Sequence, residues 1–149
     1  MQEFLIESVV FPRQTIIAQR GKASLSDMGR IAGSLFGRAA AQRLAPAGPI
    51  FAIYYEKPVD PDSVDYELCL PVKGASTGDE GLREIGGETC YRITWHGSYK
   101  GLGRVYDFLN ARIEDERRSL SAPPREVYRR GPFLGIVRIA MITEVYYPL

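Results

Sequence analysis

Twice in this chain a strand-like run carries a glutamate four residues before a proline: Glu67 before Pro71 and Glu144 before Pro148. The surroundings repeat as well. Residues 15–20 and 89–96 read as strands that stop at Gly21 and Gly97, and a helical stretch follows each. A third, apolar run comes after Pro49 in the first half and after Pro123 and Pro124 in the second, and the glutamate-bearing run closes each half. Strand–helix–strand–strand, found twice with a period far longer than a solenoid repeat, is expected of a duplicated domain. Strands segregated from two helices predict an α+β fold, with the helices on one face of a largely antiparallel sheet. The whole chain, 1–149, reads as one domain with repeat halves of about 1–74 and 80–149. A pseudo-twofold axis between the halves would carry a central groove, and such crevices are default ligand sites.

The individual elements follow from periodicity. Ser24, Ser26 and Asp27 offer N-caps to a first helix. Leu25, Met28, Ala32, Leu35 and Ala39 then recur at steps of three and four, which makes one face apolar. Gly29, Gly33 and Gly37 lie inside this helix at a spacing of four, where glycine costs stability; a flat glycine face would suit close packing on a sheet or a partner. A second helix spans about 98–119, with Leu102, Val105, Leu109 and Ile113 as its buried stripe. Residues 4–10 form a further strand that Pro12 breaks, and 82–85 are short and extended before Gly86 and Gly87. Strands are read over 50–56, 65–72 and 139–147, turns over 58–62 and 131–135, and a polar link over 73–81. Aligned on these landmarks, Glu126 falls where Phe51 falls, and Tyr128 where Ile53 falls.

Composition narrows the function classes. With 19 basic and 18 acidic side chains, the charge balance gives no support to nucleic-acid binding. Cys69 and Cys90 lack metal-ligand spacing and sit in apolar runs, which fits buried free thiols in a reducing compartment. There is no signal-peptide pattern and no stretch of membrane-spanning length, so a cytoplasmic location is expected. No metal constellation and no phosphate-binding glycine loop is present, and no cofactor is expected. Ser24 and Ser98 lack a nearby histidine–acid set for nucleophilic catalysis. His96, the one histidine, sits before Gly97 at a strand-to-helix turn, which favours a structural role over haem ligation.

The stretch from Arg125 to Tyr128 carries the chemistry. As a strand it puts Glu126 and Tyr128 on one face and Val127 on the other. A carboxylate on a mostly apolar face is costly unless paired or useful. Glu126 either salt-bridges to Arg125, Arg129 or Arg130, or forms the base of an aromatic-lined pocket. In such a pocket burial disfavours the ionised carboxylate, and a ligand cation restores it.

Five segments bear on this choice: 48–55 (Gly-Pro-Ile-Phe-Ala-Ile-Tyr-Tyr), 66–72 (Tyr-Glu-Leu-Cys-Leu-Pro-Val), 96–102 (His-Gly-Ser-Tyr-Lys-Gly-Leu), 125–128 (Arg-Glu-Val-Tyr) and 143–149 (Thr-Glu-Val-Tyr-Tyr-Pro-Leu). In order and spacing they resemble the GyrI-like small-molecule-binding domain, also called the AraC-type effector-binding or multidrug-sensor domain. The resemblance covers nearly the whole chain. It implies a groove that binds bulky, often cationic aromatic compounds, with Glu126 meeting the positive charge and Tyr128 beside it. Tyr54, Tyr55, Trp95 and Tyr99 are its implied aromatic walls. Glu144 and Glu67 are further carboxylates, for the pocket or for ion pairs on the outer face. The two repeat units use up the chain, so a stand-alone copy without a DNA-binding domain is expected. The expected partner is a small hydrophobic or cationic aromatic ligand, with no direct contact to nucleic acid or membrane; a regulator or gyrase partner stays open. The resemblance also admits a hydrolase of cyclopropane-bearing electrophiles, with Glu126 as base and Tyr128 or Tyr99 as proton donor, and a gyrase-inhibitor-type protein-binding module.

Overall fold

A computed structural model of the chain describes residues 4–23, 27–55, 64–74, 81–130 and 141–149. The helix start at Ser24, Leu25 and Ser26, the 58–62 and 131–135 turns, the first residues of the 139–147 strand and most of the 73–81 link lie outside the described residues. The elements in chain order are β1 (Glu7–Val10), β2 (Gln14–Ala23), α1 (Met28–Ala41), β3 (Ala45–Pro46), β4 (Phe51–Tyr54), β5 (Val64–Lys73), β6 (Leu82–Ile85), β7 (Thr89–His96), α2 (Leu102–Asp115), β8 (Arg125–Arg130) and β9 (Ile142–Pro148). A single 3-10 turn, Tyr99–Gly101, leads into α2. The fold is α+β. No described helix is long and apolar enough to cross a membrane.

The chain forms two compact units, Pro12–Gly86 and Met1–Phe11 with Gly87–Leu149. In the first, β4, β5, β2 and β6 lie side by side, with β3 also on β5. In the second the order is β1, β7, β9, β8. Every described pairing within each unit is antiparallel. The short edge strands are exchanged: β1 precedes β2 in the chain but pairs with β7, and β6 precedes β7 but pairs with β2.

Tight backbone contacts mark the points where the chain passes from one unit to the other. The Phe11 N–H donates to the Glu88 carbonyl at 2.9 Å, and the Gly87 N–H donates to the Phe11 carbonyl at 2.8 Å. Gly86 has φ +117°, and a Cβ there would lie 2.1 Å from the Pro12 carbonyl oxygen. Both facts require glycine at this position.

The helices bury the stripes that periodicity predicts. Met28, Ala32, Leu35 and Ala39 are buried on α1, together with Ile31. On α2, Leu102, Val105 and Leu109 pack with Ile93, Val145 and Tyr147 of the sheet, and Ile113 lies half-buried beside them. Each such aliphatic side chain is worth roughly 1.5–3 kcal/mol. Helix α2 stops four residues short of the predicted end because Arg117 adopts φ +53°, a left-handed conformation that closes a helix. The Arg118 N–H then turns back to the Ile113 carbonyl at 3.0 Å.

Among the described residues, a Cβ on Gly29, Gly33 or Gly37 has no neighbour within 4 Å. Two expectations are corrected. Strand β2 does not stop at Gly21 but runs on to Ala23, with Gly21 paired to Tyr66. The alignment of the halves also shifts by one residue. Val127 stands opposite Glu144 and Ile53 opposite Glu67, so Glu126 corresponds to Ala52 and Tyr128 to Tyr54. The landmark matching Pro49 is thus Pro123, the first proline of its pair.

These observations predict opposite outcomes for two kinds of glycine. Gly29→Ala, Gly33→Ala and Gly37→Ala each stabilise the protein by about 0.5–1 kcal/mol in urea unfolding. Gly86→Ala destabilises it by about 2 kcal/mol or more in the same assay.

Candidate ligand-binding site

Alternation along β7, β9 and β8 sorts the side chains of the Gly87–Leu149 unit into two sets. Ile93 and Val145 stand opposite each other, and both pack on α2. Trp95 opposite Thr143, Glu126 opposite Val145 and Tyr128 opposite Thr143 therefore share the α2 side. Glu144 and Tyr146 face the other way.

On the α2 side Glu126 is 7% exposed and Tyr128 2%. The Tyr128 hydroxyl donates to Glu126 Oε1 at 2.9 Å, and the Tyr106 hydroxyl, from α2, donates to Glu126 Oε2. Tyr99 meets Tyr128 edge-on, with ring centroids 5.8 Å apart, and the 3-10 turn places it there. Burial pushes the Tyr99 phenol up to about 12, and the negative charge of Glu126 adds to the shift. Trp95 donates its indole N–H to the Ser98 carbonyl at 2.9 Å and lies close against Gly97 and Gly101. A Cβ on Gly101 would fall 2.1 Å from Trp95 Cζ2, so that glycine seats the indole. Thr143, between Trp95 and Tyr128 in register, is fully buried, and its hydroxyl has no hydrogen-bond partner among the described residues.

The sequence-predicted residues thus divide. Glu126, Tyr128, Tyr99 and Trp95 gather on one side of one unit. Glu144 takes the opposite side, where its carboxylate accepts from Arg129 Nε at 3.1 Å and from the Tyr146 hydroxyl at 3.0 Å. Tyr54 and Tyr55 belong to the Pro12–Gly86 unit. Tyr54 is buried, with its hydroxyl 4.0 Å from Met28 Sδ. Tyr55 lies under the Arg20 guanidinium, 3.7 Å from its ring centroid, and donates to Glu67 Oε1 at 2.7 Å. Glu67 is held by Arg83, whose two N–H groups reach its oxygens at 2.7 and 2.5 Å. Arg83 keeps the Glu67 carboxyl below its ordinary range although burial opposes this. His96 ends β7, exposed. Among the described residues no cluster of three metal-ligating side chains converges.

Sequence reasoning missed Tyr106 and Thr143. Tyr106 is four residues after Leu102 and three before Leu109, so helical spacing alone places it beside the buried stripe. Nothing in the sequence marks Thr143, because threonine is ordinary in a strand.

The assembled groups have a definite capability. A buried carboxylate with phenol hydroxyls on both oxygens offers negative charge in a water-poor setting, where Coulomb attraction is strong. The surrounding rings present flat faces and edges to an aromatic body.

Comparison with known proteins adds to this geometry. The family model described as GyrI-like small molecule binding domain matches residues 6–149. No curated protein sequence matches the chain. Among solved structures, the crystal structure of the EcmrR C-terminal domain superposes with a TM-score of 0.83 at 20% identity, covering 99% of this chain and 98% of that one. EcmrR in a cryo-EM complex with DNA superposes with a TM-score of 0.81 at 19% identity, over 97% of this chain and 57% of that one. A hydrolase from Listeria innocua gives a TM-score of 0.67 at 12% identity, over 96% and 90%. These three likenesses are of fold.

The Tyr99 shift carries a pH dependence. A free tyrosine loses its proton near about 10, and in the folded protein Tyr99 keeps it to about 12. The folded state therefore holds more protons in between, and stability falls as pH rises through that window. Urea midpoints measured from pH 9 to pH 12 drop, and they drop less steeply in Tyr99→Phe.

Proposed function

The chain belongs to the GyrI-like small-molecule-binding domain family, and on that premise we propose that it binds hydrophobic aromatic cations at Glu126. The observation that carries the proposal is the carboxylate itself: Glu126 is buried on a sheet face with the hydroxyls of Tyr106 and Tyr128 on its oxygens. A ligand cation in this setting gains charge pairing with Glu126. Cation–π attraction from the surrounding rings adds about 0.5–2 kcal/mol each. Tyr99 and Trp95 supply aromatic surface on the same side of the sheet, and Tyr128 both holds the carboxylate and meets Tyr99 edge-on. Glu67 and Glu144 already hold arginines, so their part in this reading is structural.

A matched pair of compounds tests the charge role. N-Methylacridinium is a permanent cation, and acridine at pH 8 is a neutral body of nearly the same shape. Glu126→Gln weakens the cation by about 10- to 100-fold, the scale of a hydrogen bond to a charged group, and leaves acridine within a factor of about two. Calorimetric titration measures both, with mass spectrometry on the recovered compounds. Equal loss for the two compounds removes the charge-pairing role. Conversion of either compound over many turnovers replaces the binding reading with an enzymatic one.

A further inference from the structure

Thr143 lies on the α2 side of this sheet and has no part in the charge-pairing role of Glu126. It is fully buried. Its neighbours across the strands are Trp95 on β7 and Tyr128 on β8. Its hydroxyl finds no hydrogen-bond partner among the described residues. A polar atom in that state costs free energy that a valine of the same shape would not. Orphaned hydroxyls of this kind call for an explanation, and a ligand group is one.

The Pro12–Gly86 unit sharpens the point. There the residue in the matching register position is Tyr66, opposite Gly21 as Thr143 is opposite Trp95. The Tyr66 ring covers that glycine, and a Cβ on Gly21 would meet Tyr66 Cζ at 3.2 Å. The large and small partners are therefore reversed between the units. Where one unit fills the position with a ring, the other puts a small residue with a hydroxyl beside the buried carboxylate.

We propose that Thr143 is a second anchor of the Glu126 site, so that its preferred ligands are aromatic cations bearing a carboxamide, carbonyl or hydroxyl group. This rests on the reading of Glu126 as the cation's partner. Thr143 faces Tyr128, two residues along β8 from Glu126, and two residues of strand rise about 7 Å. The ligand's polar group therefore stands about that far from its charge. The threonine hydroxyl donates to a carbonyl oxygen or accepts from an N–H or O–H, and either arrangement satisfies it.

The test uses two phosphonium ions. Tetraphenylphosphonium has a charge and rings but no hydrogen-bonding group. Its derivative with a para-carboxamide on one ring places a carbonyl and an amide at about the required distance. Both are titrated calorimetrically into wild type, Thr143→Val, Thr143→Ser and Glu126→Gln. Wild type prefers the carboxamide by about 3- to 10-fold, the scale of one hydrogen bond. Thr143→Val abolishes the preference and leaves the parent ion unchanged, and Thr143→Ser retains it. Thr143→Val also unfolds at a higher urea concentration than wild type, because a buried orphan hydroxyl has been removed. The proposal falls if Thr143→Val weakens both ions equally, if the preference survives in it, or if it unfolds earlier than wild type. In those cases Glu126-dependent binding of the parent ion still stands. If neither ion binds wild type, both the second anchor and the Glu126 reading fall.

Discussion

The register between β8 and β9 is the constraint on which the candidate site depends. With Glu126 opposite Val145 and Tyr128 opposite Thr143, both side chains point to the α2 side of the sheet. There the Tyr106 hydroxyl meets the carboxylate. A slip of one residue would send Val127 to that side and turn Glu126 toward Arg92 and Glu144, because side chains alternate with a period of two. The irregularity in β8 falls between Tyr128 and Arg130, after the pair that matters. Burial on both faces holds the register, since Val127 and Tyr146 are buried as well as Tyr128 and Val145.

Much of the fold was legible in the sequence because its punctuation is strong. Gly97 and the prolines ahead of β2, β4 and β8 mark where elements break, although β2 runs on through Gly21 to Ala23, and β6 and β7 begin and end where the residue pattern places them. The buried stripes of both helices follow from spacing alone. The identity of each unit's edge strand was not legible, because pairing between β1 and β7 joins residues about eighty apart in the chain, and no local pattern records such a choice. The site was half legible. Alternation puts Glu126 with Tyr128, but it cannot say which of the two sides of β9 a helix will cover, so Glu144 remained a candidate for the same pocket. The pairing of Glu67 with Arg83 likewise depends on β6 lying beside β2, which only the folded chain reveals.

The duplication has diverged where chemistry is concerned and kept its form where packing is concerned. Ala52, fully buried, occupies the register position that Glu126 takes in the other unit. Tyr54 and Tyr128 match, and both are buried. The last strands carry Glu67 and Glu144 at matching positions, each tied to an arginine and to a tyrosine hydroxyl. These ion pairs belong to the shared scaffold. At the one position compared, the carboxylate facing a helix belongs to one unit and an alanine stands there in the other.

The exchange of the short strands sets an order in which the chain is completed during synthesis. Every strand of the Pro12–Gly86 unit has been made once residue 86 emerges. The other unit needs the first strand of the chain and its last. Its β1 must wait, as an unpaired tail, until β7 appears some eighty residues later. Long-range pairing of this sort is slow to form, and an unpaired strand edge is exposed to wrong partners meanwhile. The unit that carries Glu126 is therefore the one whose strands are completed last.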